Sequence, residues 1–234
     1  MTDHKIGTRE EWLAARKKLL TREKALTHER DAVAAERRAL PWVKVEKNYV
    51  FDSKNGKVTL ADLFEGRDQL MVYHFMFSPD WEAGCTGCSF LSDHVDAARQ
   101  HFEHNNLSFA AVSRTPVDKI EAYKKRMGWK FRWVSSLDSD FNYDFHVSFT
   151  KEEIEAGPVD YNFRPQKLTM QDMHGESMFY KDTDGTIYHT YSSYERAGEE
   201  IAATYRFLDL APLGRNEGDK GMGKWMKRHD EYGT

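Results

Sequence analysis

The sequence predicts an α/β fold, a three-layer sandwich around a mixed central sheet, and three observations carry this. Apolar runs of strand length occur at residues 70–77 and 107–113, and both read as buried strands. Between them Leu91, Val95, Ala98 and Phe102 recur at steps of four, three and four, the spacing of one helix face. Later, residues 176–181 and 186–192 flank the turn Asp182-Thr183-Asp184-Gly185, which predicts a hairpin. Strands joined through a crossover helix run parallel, whereas the hairpin adds antiparallel strands at one side.

Composition bounds the function. A chain of 234 residues, 40% hydrophobic and 13% aromatic, accommodates one sizeable core with an appendage. A net charge of −4 provides no basic field, so a nucleic-acid partner is not expected. Two cysteines are too few for a disulfide framework; a close CxxC reads as redox or metal chemistry. Residues 1–5 lack the apolar core of a signal peptide, and no run reaches membrane-spanning length. A cytoplasmic protein without membrane contact is the expectation.

In chain order, residues 8–40 form one helical pattern, capped by Thr8 and stopped by Pro41. Leu13, Leu20, Leu26, Val33 and Leu40 make a thin apolar seam among charges. Such a helix is about 45 Å long and too polar for a core, so residues 1–41 are assigned as an extension. It either lies solvated or joins two copies in a homodimer. The main domain is assigned to residues 42–212, opening with extended chain around the Asn55-Gly56 turn. Thr115, Pro116 and Asp118 resemble a capped start for a helix ending at Gly128, and a strand follows at 131–135. Residues 136–174 are expected to be a long irregular insertion. Within it Phe141, Tyr143, Phe145 and Phe149 alternate as a strand would. A helix near 195–208 closes the domain, and 213–234 are expected to be a loosely packed tail anchored by Trp225.

The chemistry centres on Cys85-Thr86-Gly87-Cys88, where the first buried strand hands over to a helix. Extending the face of Leu91 backward by three reaches Cys88, and by three more Cys85. Cys88 should therefore face the core, with Cys85 at the first turn, nearer solvent. The helix start favours a thiolate there. Asp80 and Glu82 oppose one. An exposed thiol backed by a recessed one can form and resolve a mixed disulfide. Catalysis is assigned to Cys85 and Cys88. Trp81, Glu82, His74 and Arg114 are supporting candidates, as a packing wall, a proton acceptor, a proton-transfer group and a ligand-edge cation respectively. The plainer readings are an exposed loop acid for Glu82, a core histidine bonded to backbone for His74 and a surface salt bridge for Arg114. No resident cofactor or metal is assigned. The competing metal reading would need ligands from His74, His146 or His174.

The element order is the outline of the thioredoxin fold with an added N-terminal hairpin. Tyr73-His74-Phe75-Met76-Phe77, Asp80-Trp81-Glu82-Ala83-Gly84-Cys85, Val112-Ser113-Arg114 and Met127-Gly128-Trp129 resemble an uncharacterised bacterial thioredoxin-like family, domain of unknown function eight-nine-nine. So do residues 141–146 and Leu208-Asp209-Leu210. The resemblance spans roughly residues 35–230 and implies the fold, not the chemistry. Two departures matter. Thioredoxins carry a proline before the hairpin, facing the cysteines, where this chain has Met173-His174-Gly175. The peroxiredoxin pattern wants proline seven and threonine three residues before its reactive cysteine; before Cys85 stand Ser78 and Glu82. The expected activity is thiol–disulfide exchange with an unidentified protein or small-molecule thiol or disulfide. The alternatives are an assembly protein that keeps the fold as a scaffold, or a metal-binding module.

Overall fold

The computed structural model describes residues 4–217 and 225–233. It divides into two compact units at Pro41/Trp42. The first is a single helix, α1 (Arg9–Arg38). Thr8 and Glu11 form a reciprocal capping box at its start: Thr8 Oγ1 accepts from Glu11 N–H at 3.2 Å, and Glu11 Oε2 accepts from Thr8 N–H at 2.8 Å. No residue of α1 is buried, and the seam from Leu13 to Leu40 stays exposed.

The second unit holds the sheet. Its strands are β1 (Val43–Lys44), β2 (Val50–Ser53), β3 (Gly56–Thr59), β4 (Gln69–His74), β5 (Leu107–Ser113), β6 (Arg132–Ser135), β9 (Gly175–Lys181) and β10 (Ile187–Tyr194). They lie in the order β1-β10-β9-β4-β5-β6-β2-β3. β4 is central, paired parallel with β5 and antiparallel with β9, and β6 runs parallel to β5. Strands β10-β9-β4-β5, with the cysteines directly after β4, are the thioredoxin arrangement the sequence predicts.

Because side chains alternate along a strand, β4 and β5 feed two cores. One face carries Tyr73, Phe109 and Ala111, covered by the helices α2 (Thr86–Ser92), α3 (Val95–His104) and α4 (Val117–Met127). The other carries Leu70, Val72, Ala110 and Val112, covered by the 3₁₀ turn Ala61–Phe64 and by α5 (Phe141–Asp144). Gly128 ends α4 with φ of 70°, the left-handed cap that glycine adopts without a Cβ clash.

Several local expectations are corrected. The predicted cysteine helix is two helices: at His94 the backbone tightens to an i→i−3 bond onto Leu91 O, and the His94 ring is drawn to Leu91 O and Thr204. Thr115 is not the cap of α4; Pro116 holds that position and the Thr115 hydroxyl is buried with no partner among the described residues. Phe141 and Phe145 are buried one helical turn apart in and beside α5, not along a strand, while Tyr143 is half-exposed. The 136–174 stretch also holds α6 (Lys151–Ala156), β7 (Val159–Tyr161) and β8 (Arg164–Gln166), and its Val147, Phe149, Val159 and Tyr161 build a further core with Tyr194 of β10. The closing helix is a 3₁₀ segment, Glu195–Ile201, followed by α7 (Ala203–Leu210).

The described part of the tail is held to the domain at a few points, and its residues 218–224 and 234 lie outside the described set. Trp225 Nε1 donates to Arg215 O at 2.8 Å and its ring meets Phe90 edge-on. Arg126 pairs with Asp230 at 2.6 Å. Among the described residues no helix is long and apolar enough to cross a membrane.

One buried ion pair ties residues 136–174 to the sheet. Arg114, just past β5, grips Asp172 with Nε at 2.6 Å and Nη2 at 3.0 Å, and donates to Tyr143 Oη at 2.6 Å. Asp172 also accepts from the hydroxyls of Ser78 and Ser148. Its side chain is 4% exposed, that of Arg114 12%. Asp172→Ala would strand the guanidinium, so chemical denaturation should show a loss of about 3–5 kcal/mol. The double change Arg114→Met, Asp172→Leu should recover most of it. A single variant as stable as the parent would refute the anchoring role.

Candidate active site at the Cys85–Cys88 pair

The turn from β4 into α2 is pinned at the backbone. Cys85 N–H donates to Met76 O at 3.0 Å, and Cys85 O accepts from Ser89 N–H at 2.9 Å and from Ser89 Oγ at 2.8 Å. Gly84 is required by close approach: a Cβ there would stand 2.6 Å from the Phe75 ring and 2.9 Å from Tyr123. Arg228, far along the chain, donates to Gly84 O through Nε at 3.1 Å and Nη2 at 2.7 Å.

Within this frame the two thiols differ. Cys85 is the N-cap of α2 and half-buried; Cys88 is one turn in and 2% exposed. The Cys88 side chain, as donor, stabilises the Cys85 thiolate, helped by the N–H groups of Cys88 and Gly87 and by the Arg228 charge. Together these outweigh burial and lower Cys85 to about 6. Burial and then the neighbouring Cys85 push Cys88 well above its usual range. Tyr73 packs in the same buried cluster as Cys88, and burial above all keeps its hydroxyl protonated.

A buried carboxyl lies nearby. Glu176 of β9 is directly opposite Tyr73 of β4, so the two share a face of the sheet. Glu176 Oε2 accepts from Ser193 Oγ at 2.9 Å, whereas Oε1 has no hydrogen-bond partner among the described residues and lies against Gly198. Burial raises its pKa to about 7. Above the thiols opens a cavity of about 400 Å³. It is lined by Cys85, Cys88 and Tyr73 together with residues from the 136–174 stretch, the 3₁₀ segment, α7 and the C-terminal segment.

The other residues singled out by sequence are dispersed. Trp81 packs at the margin of the cysteine-side core, and its carbonyl accepts from Lys119 Nζ at 3.1 Å. Glu82 is exposed, with no hydrogen bond or ion pair to a described residue. His74 points to the opposite face of the sheet, stacked on Phe141 and Phe145, with Nε2 2.8 Å from Ser177 Oγ. Burial there lowers its pKa to about 3. It is therefore separated from the thiols by the strand itself. Arg114 is committed to Asp172, as described above. Of the metal-ligand candidates, His146 is exposed, and His174 lines the cavity with Nε2 3.0 Å from Glu195 O. Among the described residues no group of three or more His, Cys, Asp or Glu gathers as a metal site.

Sequence reasoning missed Tyr73, Glu176 and Arg228. Tyr73 was within reach: strand alternation puts it on the face that an inward Cys88 must meet. Glu176 and Arg228 carry no local signal, because strand pairing and tail docking bring them in.

The thiol asymmetry is measurable. Alkylation of Cys85 should rise with pH to a midpoint near about 6. Cys88→Ala, which removes the donor, should move that midpoint upward, and Arg228→Met should move it upward by less. A midpoint unmoved in Cys88→Ala would refute the assigned cause.

Three similar solved structures are peroxidoxin BcpB from Mycobacterium tuberculosis, a peroxiredoxin Q from Xanthomonas campestris and a PrxQ mutant from Xylella fastidiosa. The first has 14% identity and a TM-score of 0.48, covering 72% of this chain and 97% of that one. The second has 13% identity and a TM-score of 0.47, covering 72% and 96%. The third has 14% identity and a TM-score of 0.46, covering 71% and 94%. None of the curated proteins matches the chain. The family described as "Bacterial protein of unknown function (DUF899)" matches over residues 1–232, and the chain belongs to that family.

Proposed function

We propose that the protein is a thiol–disulfide oxidoreductase working through Cys85 and Cys88. The observation that carries this reading is the unequal pair itself, a half-exposed thiol drawn toward thiolate and a buried thiol bonded to it. Cys85 Sγ attacks one sulfur of a substrate disulfide. A mixed disulfide forms and the first substrate thiolate leaves, taking a proton from solvent. Cys88 then gives up its proton and attacks Cys85 Sγ, forming the Cys85–Cys88 disulfide and expelling the second substrate thiolate. Two electrons pass from the dithiol to the substrate, and a dithiol reductant restores the resting state.

Glu176 supplies an acceptor for the Cys88 proton. It faces Tyr73, which packs with Cys88, and at about 7 it is divided between its two protonation states near neutral pH. Trp81 bounds the site as a packing wall, while Glu82, Arg114 and His74 take no part in this scheme.

Equilibration in thiol buffers of graded poise, followed by counting alkylatable thiols, tests the reading. A two-thiol transition abolished by Cys85→Ser is expected. Thiols that stay unreactive at every poise would leave an assembly protein. Stoichiometric zinc in the purified protein, lost in Cys88→Ser, would turn the reading to a metal-binding module.

Glu176→Gln tests the proton route. It should slow expulsion of the second thiol about tenfold or more near pH 7. It should also flatten the pH dependence of stability. The folded pKa, raised from 4.5 to about 7, lies above the unfolded value, so the folded state holds a proton that the unfolded state has lost. Stability therefore falls as pH rises through this window, by about 3 kcal/mol. An unchanged expulsion rate would remove Glu176 from the mechanism.

A further inference from the structure

The cavity over the thiols is unlike the rest of the surface. Its apolar walls are Met76, Phe90, Leu91, Met170, Met173 and Met226. Four of these are methionines, drawn from the loop after β4, the loop before β9 and the C-terminal segment. Thioether side chains are unbranched and polarisable, so such walls mould to apolar groups of varied outline. About 400 Å³ is within the ~300–1,000 Å³ of small-molecule pockets.

Charge restricts the occupant further. The acidic lining residues are engaged: Glu195 takes bonds from Asn162, Arg164 and Gln166, and Glu199 takes bonds from Arg196 and Arg215. Arg196, the one lysine or arginine among the described lining residues, is thus paired. Burial lowers the pKa of His174, whose ring is held on Glu195 O. A carboxylate entering this space would lose water and find no unpaired cation among the described lining residues. An apolar group would find thioethers and rings. Cys85 is one of the same lining residues, so a group seated here lies beside the reactive thiol.

We propose that the preferred substrates are disulfides in which one sulfur carries a bulky apolar group that seats among these methionines. The inference rests on the thiol–disulfide reading and specifies its substrate class. In the step, Cys85 Sγ forms a bond to the sulfur bearing the apolar group, and the disulfide bond to the other substituent breaks. That substituent leaves as a thiolate and is protonated by solvent. Closure by Cys88 then releases the apolar thiol, with the reduced protein as the two-electron donor.

The test uses reduced full-length protein and two mixed disulfides with the same leaving group, benzyl 2-pyridyl disulfide and glutathionyl 2-pyridyl disulfide. Release of pyridine-2-thione is followed for both, and the ratio of rates is compared with that given by free dithiothreitol. The protein should favour the benzyl compound by about tenfold or more beyond the dithiothreitol ratio, the scale of seating one apolar group. Met173→Glu should return the ratio toward the dithiothreitol value. Met170→Glu serves the same purpose if the first variant does not fold. A parent ratio equal to that of dithiothreitol would overturn the apolar-substrate inference and leave the redox reading intact. A parental ratio in both folded variants would overturn the assignment to this cavity. Failure of the reduced protein to release pyridine-2-thione from either compound would instead refute the redox reading itself.

Discussion

Strand β4 is hydrogen-bonded along both edges, parallel to β5 and antiparallel to β9, and this double pairing leaves it no freedom of register. Side chains on a strand alternate with a period of two, so a slip of one residue would exchange the two faces. With the register held, Tyr73 stands under the cysteines and Glu176 comes opposite it, while His74 is sent through to the other core. The chain leaving β4 is held equally firmly, because Met76 O receives the Cys85 N–H. The placing of Tyr73, Glu176 and His74 around the dithiol descends from that alignment.

Burial then divides the work between two chemically identical side chains. Cys85 keeps solvent access and collects donors, which favour its charged form. Cys88 is shut away, where desolvation opposes charge. The same low-polarity surroundings that suppress the Cys88 thiolate raise the Glu176 carboxyl into the range where it can trade protons at neutral pH. The missing proline before β9 has a structural counterpart. Met173 and His174 occupy that approach and become part of the cavity wall, so the surface beside the thiols is built from side chains.

Much of the fold was legible because it is written in local pattern. Strands β4 and β5, the Asn55-Gly56 and 182–185 turns, the Gly128 stop and the inward aim of Cys88 all follow from spacing and turn chemistry over a few residues. The errors have physical reasons too. Phe141 and Phe145 satisfy both a period of two and an i,i+4 step, and only the core beneath them selects the helix. The break at His94 comes from its ring being pulled toward Thr204, a partner 110 residues distant in sequence. Of the two readings open for Arg114, a ligand-edge cation and a salt bridge, the ion pair with Asp172 is the one formed, and no local spacing announces that partner 58 residues away. Acidic and basic side chains whose partners are remote are the part of a site that spacing does not encode.

Arg228 reaches back across 144 residues to the Gly84 carbonyl, and Met226 supplies one wall of the cavity. That separation has a consequence for biogenesis. On a ribosome adding ~5–20 residues per second, Cys85 and Cys88 are synthesised roughly 7–30 seconds before the residues that roof them. For that interval the nascent dithiol lacks both the arginine charge and the methionine cover of the finished site. The thiols thus meet the redox environment of the compartment before the surroundings of the finished site have formed.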